Sequence, residues 1–88
     1  MTRVVHCKKE PFDIYVGRPS LLGNPFRIGP DGTRAEVIAK YRVYAIKRMK
    51  TDEKFAAEIR KCKGKTISCW CVPEWCHGHV IAELAEAE

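Results

Sequence analysis

The chain has 88 residues, a formal net charge of +5 and a hydrophobic content of 45%. This length predicts a single domain over residues 1–88, and the hydrophobic content is too high for a disordered chain. The apolar runs are too short to span a membrane and the first ten residues lack the apolar core of a secretion signal, so we expect a cytoplasmic protein with no membrane partner.

Two short strands are predicted at the beginning of the chain. The segments at 3–7 and 13–16 are rich in β-branched and aromatic residues, which is typical of strands. A loop over 17–32 follows, and irregular loops of this length inside small domains are usually functional or disordered. Four apolar residues argue for order because they could anchor the loop: Leu21, Leu22, Phe26 and Ile28.

A helix is predicted to begin at Thr33, because Thr33 and Glu36 have the spacing of a capping box. Its apolar arc comprises Val37, Ile38, Tyr41, Tyr44, Ala45 and Met49. The opposite side carries Lys40, Lys47 and Lys50, which indicate either a solvated face or a surface for nucleic acid or a partner protein. A second helix should begin near 51–53 and end at Gly64.

A third strand is predicted over 65–72, where Pro73 would end it, and a last helix from about Gly78 to Ala87. Alternation along the strand puts Ile67, Cys69 and Cys71 on one face and Ser68 and Trp70 on the other. The order β-β-α-α-β-α predicts an α/β fold with a short, mostly parallel sheet and helices packed on it.

Three cysteines and two histidines lie in the segment CWCVPEWCHGHV at 69–80. Thiolates and imidazoles are the usual zinc ligands, so the segment is a candidate zinc site, although its spacing differs from the common Cys-x2-Cys knuckle. The candidate ligands are Cys69, Cys71, Cys76 and His77. One possible function is therefore a zinc-stabilised module that binds nucleic acid or a host protein through its basic helices.

Cys76 and His77 are also candidates for nucleophilic chemistry. Cys76 lies just before a predicted helix N-terminus, and a helix N-terminus and a nearby imidazolium both stabilise a thiolate. The sequence identifies no third residue that would orient the pair. A Cys/His-dependent enzyme is therefore a second alternative, and the sequence leaves enzymatic activity undecided.

Three segments should meet at one edge of the sheet: GRPS, GNPF and the CHG that starts the last helix. Ligands in open α/β sheets bind at the carboxyl ends of the strands, and helix N-termini favour anions. We therefore predict a pocket for a phosphate-bearing small molecule such as a nucleotide, with Trp75 as the better tryptophan to stack on a base. The predicted lining is Gly17, Arg18, Pro19, Ser20, Gly23, Asn24, Phe26, Cys76, His77 and Gly78.

The alternative for these loops is that GRPS and GNPF are only turns, with Arg18 paired to Asp13 or Asp31. In that case the arginine would have a structural partner, and the loops would have no ligand to bind.

The segments HCKKEPFDIYVGRPS, GNPF, DGTR and GKTISCWCVPEWCHGHVIAEL resemble domain of unknown function 4326, a family of phage and bacterial proteins. The resemblance covers nearly the whole chain and implies a phage-related protein, which would act in the host cytoplasm. Members often have Asp after Cys-His-Gly, where this chain has His79, and Trp before Gly-Asn-Pro-Phe, where it has Leu22. Leu22 in place of Trp implies that the loop lacks an aromatic wall.

Overall fold

The computed structural model describes residues 1–71 and 74–87. Its elements follow the predicted order β-β-α-α-β-α. They are β1 (Arg3–His6), β2 (Ile14–Tyr15), α1 (Arg34–Thr51), α2 (Glu53–Lys61), β3 (Thr66–Cys69) and α3 (His77–Glu86). The third strand, predicted over 65–72, ends at Cys69, so the prediction is wrong for Trp70 and Cys71. Val72 and Pro73 lie outside the described residues.

The sheet is parallel, as predicted, and β3 lies between β1 and β2. Val4 and Ile14 are the register partners of Ile67 on its two sides. Central strands of parallel sheets are covered on both faces. Both faces of β3 are accordingly buried. Ser68, on one face, is no more exposed than Ile67 and Cys69 on the other.

Local signals set the helix boundaries. Thr33 Oγ1 accepts a hydrogen bond from the Glu36 N–H at 3.2 Å, and Glu36 Oε1 accepts one from the Thr33 N–H at 2.8 Å, so the capping box is confirmed. Asp52 ends α1 and caps α2, because its Oδ1 accepts from the N–H groups of Lys54 and Phe55. Each cap satisfies amide groups that have no partner within the helix.

The core connects all the elements. α3 packs on β1 and β3 and also on the other two helices, so it joins the sheet to the helix pair. Val16 and Leu22 belong to the same buried cluster as Tyr41, which attaches the first part of loop 17–32 to the core. No helix within residues 1–71 and 74–87 is long and apolar enough to cross a membrane.

Gly78 allows α3 to approach the sheet closely. A Cβ at this position would lie 3.1 Å from Val4 Cγ1 and 3.3 Å from Cys76 Sγ. Contacts this short require the neighbouring atoms to move, so any larger residue would push α3 away from β1. The packing around Gly78 fixes where the cysteines and His77 lie relative to the strand ends.

Candidate functional site

A cavity of about 570 Å³ opens beyond the carboxyl ends of β2 and β3. This is the edge at which the sequence predicts a ligand, and the volume is in the range of small-molecule sites. Three of its lining residues are arginines: Arg18, Arg27 and Arg34. Four are aromatic: Tyr15, Phe26, Trp70 and Trp75.

Six of the residues predicted to bind a ligand line this cavity: Gly17, Arg18, Asn24, Phe26, Cys76 and His77. The other four lie outside the lining: Pro19, Ser20, Gly23 and Gly78. The loops therefore converge as the strand order predicts, but four of the ten predicted residues do not line the cavity.

Two consecutive turns shape the segment that carries Arg18. The Ser20 N–H donates to the Gly17 carbonyl and the Gly23 N–H to the Ser20 carbonyl, each at 3.0 Å. A Cβ on Gly23 would lie 3.0 Å from Arg18 Cγ and 3.1 Å from the Ser20 carbonyl. Gly23 thus positions Arg18, and the Tyr15 hydroxyl holds the Arg18 carbonyl through a 3.0 Å hydrogen bond.

The Arg18 side chain is exposed and forms no ion pair with any described carboxylate. The two acids that could have paired with it bind backbone amides: Asp13 Oδ2 accepts from the Thr66 N–H at 2.9 Å, and Asp31 Oδ2 accepts from the Arg27 N–H at 2.8 Å. The turn-only interpretation therefore lacks its ion pair, and the guanidinium can reach an anion in the cavity.

Arg27 and Arg34 are cavity residues that the sequence analysis missed. Arg34 Nη1 donates to the Trp75 carbonyl at 3.2 Å, which ties the start of α1 to the segment before α3. Arg34 is the first residue of α1, where a cation is unfavourable beside the positive end of the helix dipole. That placement is the signal that could have identified it. No Asp or Glu in the described part of the chain lines the cavity.

The two tryptophans line the cavity and remain about half exposed. Trp70 is 57% exposed and Trp75 51%, so exposure does not favour Trp75 over Trp70 as the ring that would stack on a base. The Trp75 ring stacks on His79 with a centroid distance of 4.5 Å and an interplanar angle of 11°. Lys8 Nζ lies 5.5 Å from the Trp70 ring centroid. Exposed rings beside a cavity offer surfaces for a planar ligand.

The GNPF segment is held by Asn24. Its Oδ1 accepts from the Phe26 N–H at 2.9 Å, an Asx-type turn that brings Phe26 to the cavity. Leu22 is buried in the core, and its carbonyl accepts from the Tyr41 hydroxyl at 2.7 Å. Leu22 therefore does not line the cavity, and the expectation that the loop lacks an aromatic wall there stays a prediction. The predicted anchor Ile28 is exposed and lines the cavity instead.

Two N–H groups at the start of α3 are hydrogen-bonded within the segment. The Cys76 N–H donates to His79 Nδ1 at 3.1 Å, and the His79 N–H donates to the Cys76 carbonyl at 3.0 Å. His79 therefore takes the capping-box position that an acid commonly fills. Gly78 is buried against Val4 and does not face the cavity, contrary to the prediction that it donates to an anion. The arginines, not this helix start, supply the positive charge.

His77 is buried beneath the cavity. Its Nε2 donates to the Val16 carbonyl at 2.7 Å, and its ring lies edge-on to Tyr41 at 5.1 Å. Burial lowers the pKa of His77, the hydrogen bond to the Val16 carbonyl acts in the opposite direction, and the charge of Arg18 lowers it further. The imidazole is therefore neutral at pH 7 with its proton on Nε2, and this N–H binds the Val16 carbonyl instead of a ligand in the cavity.

The sulfur atoms of Cys69 and Cys76 lie 2.8 Å apart in the cavity wall. The hydrogen bond to Cys69 and burial raise the pKa of the Cys76 thiol. This is the opposite of the thiolate stabilisation expected at a helix N-terminus beside an imidazolium. The raised pKa of this thiol does not favour Cys76 as a nucleophile with His77 as its base, and that pair stays a prediction.

The predicted zinc ligands do not form a metal site in the described structure. Over residues 1–71 and 74–87, no group of three or more His, Cys, Asp or Glu side chains is arranged to hold an ion. Cys69, Cys71 and Cys76 line the same cavity, but His77 Nε2 is directed at the Val16 carbonyl.

The basic face of α1 lies outside the cavity. Lys40, Lys47 and Lys50 are exposed, as predicted, and Lys40 Nζ donates to the Asp31 carbonyl at 2.6 Å. Val43 on the same helix is exposed as well. This surface remains a predicted site for nucleic acid or a protein partner.

A family model described as domain of unknown function (DUF4326) matches residues 2–87. A protein of Enterobacteria phage T4, described as an uncharacterized 12.4 kDa protein in the nrdA-td intergenic region, is 33% identical over 85 residues. The alignment covers 96% of this chain and 77% of the phage protein. No solved structure matches the chain.

Proposed function

The chain belongs to the family described as domain of unknown function 4326, and we propose that it binds a nucleotide-like ligand at the carboxyl edge of its sheet. In this proposal a phosphate pairs with the arginines and a planar base lies on the tryptophans. One observation carries it: a cavity of about 570 Å³ combines three arginines with both tryptophans and has no described carboxylate in its lining.

The arginines are suited to a phosphate. A guanidinium offers a planar fork of N–H donors that matches phosphate oxygens in two-point contacts. Among residues 1–71 and 74–87, Arg18 has no carboxylate partner and Arg34 donates one side-chain hydrogen bond, to the Trp75 carbonyl. The net charge of +5 adds a general attraction for anions.

The aromatic residues are suited to a base. Trp75 is held parallel to His79, and Phe26 is held by the turn at Asn24, so both rings are already ordered. Stacking of one base on an aromatic ring contributes about 1–3 kcal/mol to the binding free energy, and any of the bases can stack in this way. Ordered rings lose little conformational entropy when a ligand binds.

A thermal-shift series with Arg18→Ala tests the proposal. The ligands are nucleoside 5′-mono-, di- and triphosphates, the corresponding nucleosides and inorganic phosphate. A ligand at about 100 times its Kd stabilises the folded state by about 2.7 kcal/mol, which corresponds to roughly 15 °C for a domain of this size. We expect such a shift for the wild type with at least one nucleotide, and Arg18→Ala should weaken the affinity by about 10- to 100-fold.

Arg3→Ala is the matched control, because it removes the same charge outside the cavity. Arg3 forms an exposed ion pair with Glu10. Such pairs contribute about 0–1 kcal/mol, so this variant should keep both its fold and the nucleotide shift. The proposal fails if no nucleotide shifts the wild type, or if Arg3→Ala loses as much affinity as Arg18→Ala. In the second case the binding would come from net charge rather than from the cavity.

A further inference from the structure

Two buried thiols form part of the cavity wall. Cys69 is the last residue of β3 and Cys76 caps α3, and their side chains are 1% and 2% exposed. We propose that Cys69 and Cys76 are a redox-active dithiol that a low-molecular-weight disulfide oxidises to an intramolecular disulfide. The inference is independent of the ligand that occupies the cavity.

The geometry places the two sulfurs close together before any reaction. Their separation is 2.8 Å, whereas bonded sulfurs lie about 2.05 Å apart, so closure requires a movement of less than about 1 Å. The Cys69 carbonyl accepts from the Cys7 N–H at 3.1 Å and the Cys76 N–H donates to His79 Nδ1, which orders both backbones. Gly78 leaves space beside both sulfurs, since a Cβ there would lie 3.3 and 3.8 Å from them.

The cavity gives a small oxidant a route to the thiols. Cys69 and Cys76 both line it, although little of either side chain is exposed to bulk solvent. Cys71 lines the same cavity and is partly exposed. A volume of about 570 Å³ admits a small disulfide but not the active-site loop of another protein.

The reaction is two successive thiol–disulfide exchanges. A thiolate of the pair attacks one sulfur of the small disulfide, whose S–S bond breaks, and the leaving thiolate takes up the proton that the attacking thiol has lost. The second cysteine then attacks the mixed disulfide in the same way. Two protein thiols lose two protons and two electrons, and the small disulfide becomes two thiols. Because the pKa of Cys76 is raised, its small thiolate fraction increases with pH, so the disulfide forms faster as the pH rises.

Peptide mapping of the oxidised wild type tests the pairing. The folded protein is incubated with oxidised glutathione, the remaining thiols are alkylated, and the product is digested with chymotrypsin. Cleavage after Trp70 and Trp75 places Cys69, Cys71 and Cys76 on three separate peptides. We expect a link between the peptides of Cys69 and Cys76, a mass loss of two hydrogens and full reversal by a reductant. The closed loop is short, and we expect the melting temperature to rise by roughly 10 °C.

Cys71→Ala is the matched control, because it removes a thiol from the same cavity wall. This variant should form the link as the wild type does, while Cys69→Ala and Cys76→Ala should not lose the two hydrogens. The wild-type map does not depend on whether the variants fold. The proposal is overturned if the folded wild type forms no internal disulfide, or if the main link includes Cys71.

Discussion

Ser68 is a buried polar residue whose hydroxyl has no hydrogen-bond partner among the described residues. A buried hydroxyl without a partner costs about 1–3 kcal/mol. We expect Ser68→Ala to raise the free energy of unfolding by about 1 kcal/mol, measured by urea denaturation. Ser68→Thr is the opposite control, since an added methyl group at this fully buried position should destabilise the protein. A loss of stability in Ser68→Ala would show that the hydroxyl has a partner.

His77 should make stability depend on pH. Burial lowers its pKa in the folded protein below the usual value of about 6.5. As the pH falls, the unfolded chain therefore binds the proton before the folded protein does. The contribution of neutral His77 to the free energy of unfolding is complete above about pH 6.5 and decreases as the pH falls towards the folded-state pKa. We expect the melting temperature to fall between pH 7.5 and 5.5.

His77→Gln identifies the group responsible for that pH dependence, because glutamine keeps an N–H donor for the Val16 carbonyl but does not titrate. The variant should show a smaller fall in melting temperature over the same pH range than the wild type. Equal falls in the two proteins would assign the effect to another group and contradict this account of His77.

At the scale of elements, the turns of loop 17–32 position Arg18. An alanine at position 23 would place its Cβ 3.0 Å from Arg18 Cγ and 3.1 Å from the Ser20 carbonyl, so this part of the loop must shift. We expect Gly23→Ala to weaken nucleotide affinity at least about 3-fold, because small displacements of a charged donor impair its contacts. Titration calorimetry measures the change.

Leu21→Ala is the control for Gly23→Ala. Leu21 lies in the same loop, is exposed and does not line the cavity, so the affinity should be unchanged. If Gly23→Ala binds as tightly as the wild type while its fold is intact, the loop does not position Arg18 as described.

The elements differ in how well the sequence predicts them, because some depend on residues close together in the sequence and others on residues far apart. The capping box of Thr33 and Glu36 depends on residues three apart, so the start of α1 could be predicted to the residue. The position of β3 between β1 and β2 depends on pairing between residues about fifty to sixty apart, in strands of two to four residues. Such short strands carry too little pattern to specify their neighbours.

For the whole molecule, the sheet edge at which the cavity lies was predictable, and many of the residues that line it were not. Parallel strands end at one edge, so the convergence of Arg18, Phe26 and Cys76 followed from the element order. Arg27 was missed because the path of the long loop decides which of its side chains enter the cavity. Arg34, at the start of α1, was missed because its position depends on a contact with the distant Trp75 carbonyl. Gly78 and His77 were placed at the site, but packing on Val4 and the bond to the Val16 carbonyl determine their roles.

The most direct test of the nucleotide cavity is a calorimetric titration of the wild type with a nucleoside 5′-monophosphate, its nucleoside and inorganic phosphate. Arginines and tryptophans line one cavity, so the base and the phosphate should both contribute to affinity. The base of the titrated compounds is that of the nucleotide that gives the largest thermal shift. We predict one site per chain for that nucleotide, with the nucleoside and phosphate each binding at least about 10-fold more weakly, since losing either contact costs about 1.4 kcal/mol or more. Absence of nucleotide binding, or phosphate binding as tight as that of the nucleotide, would contradict the account.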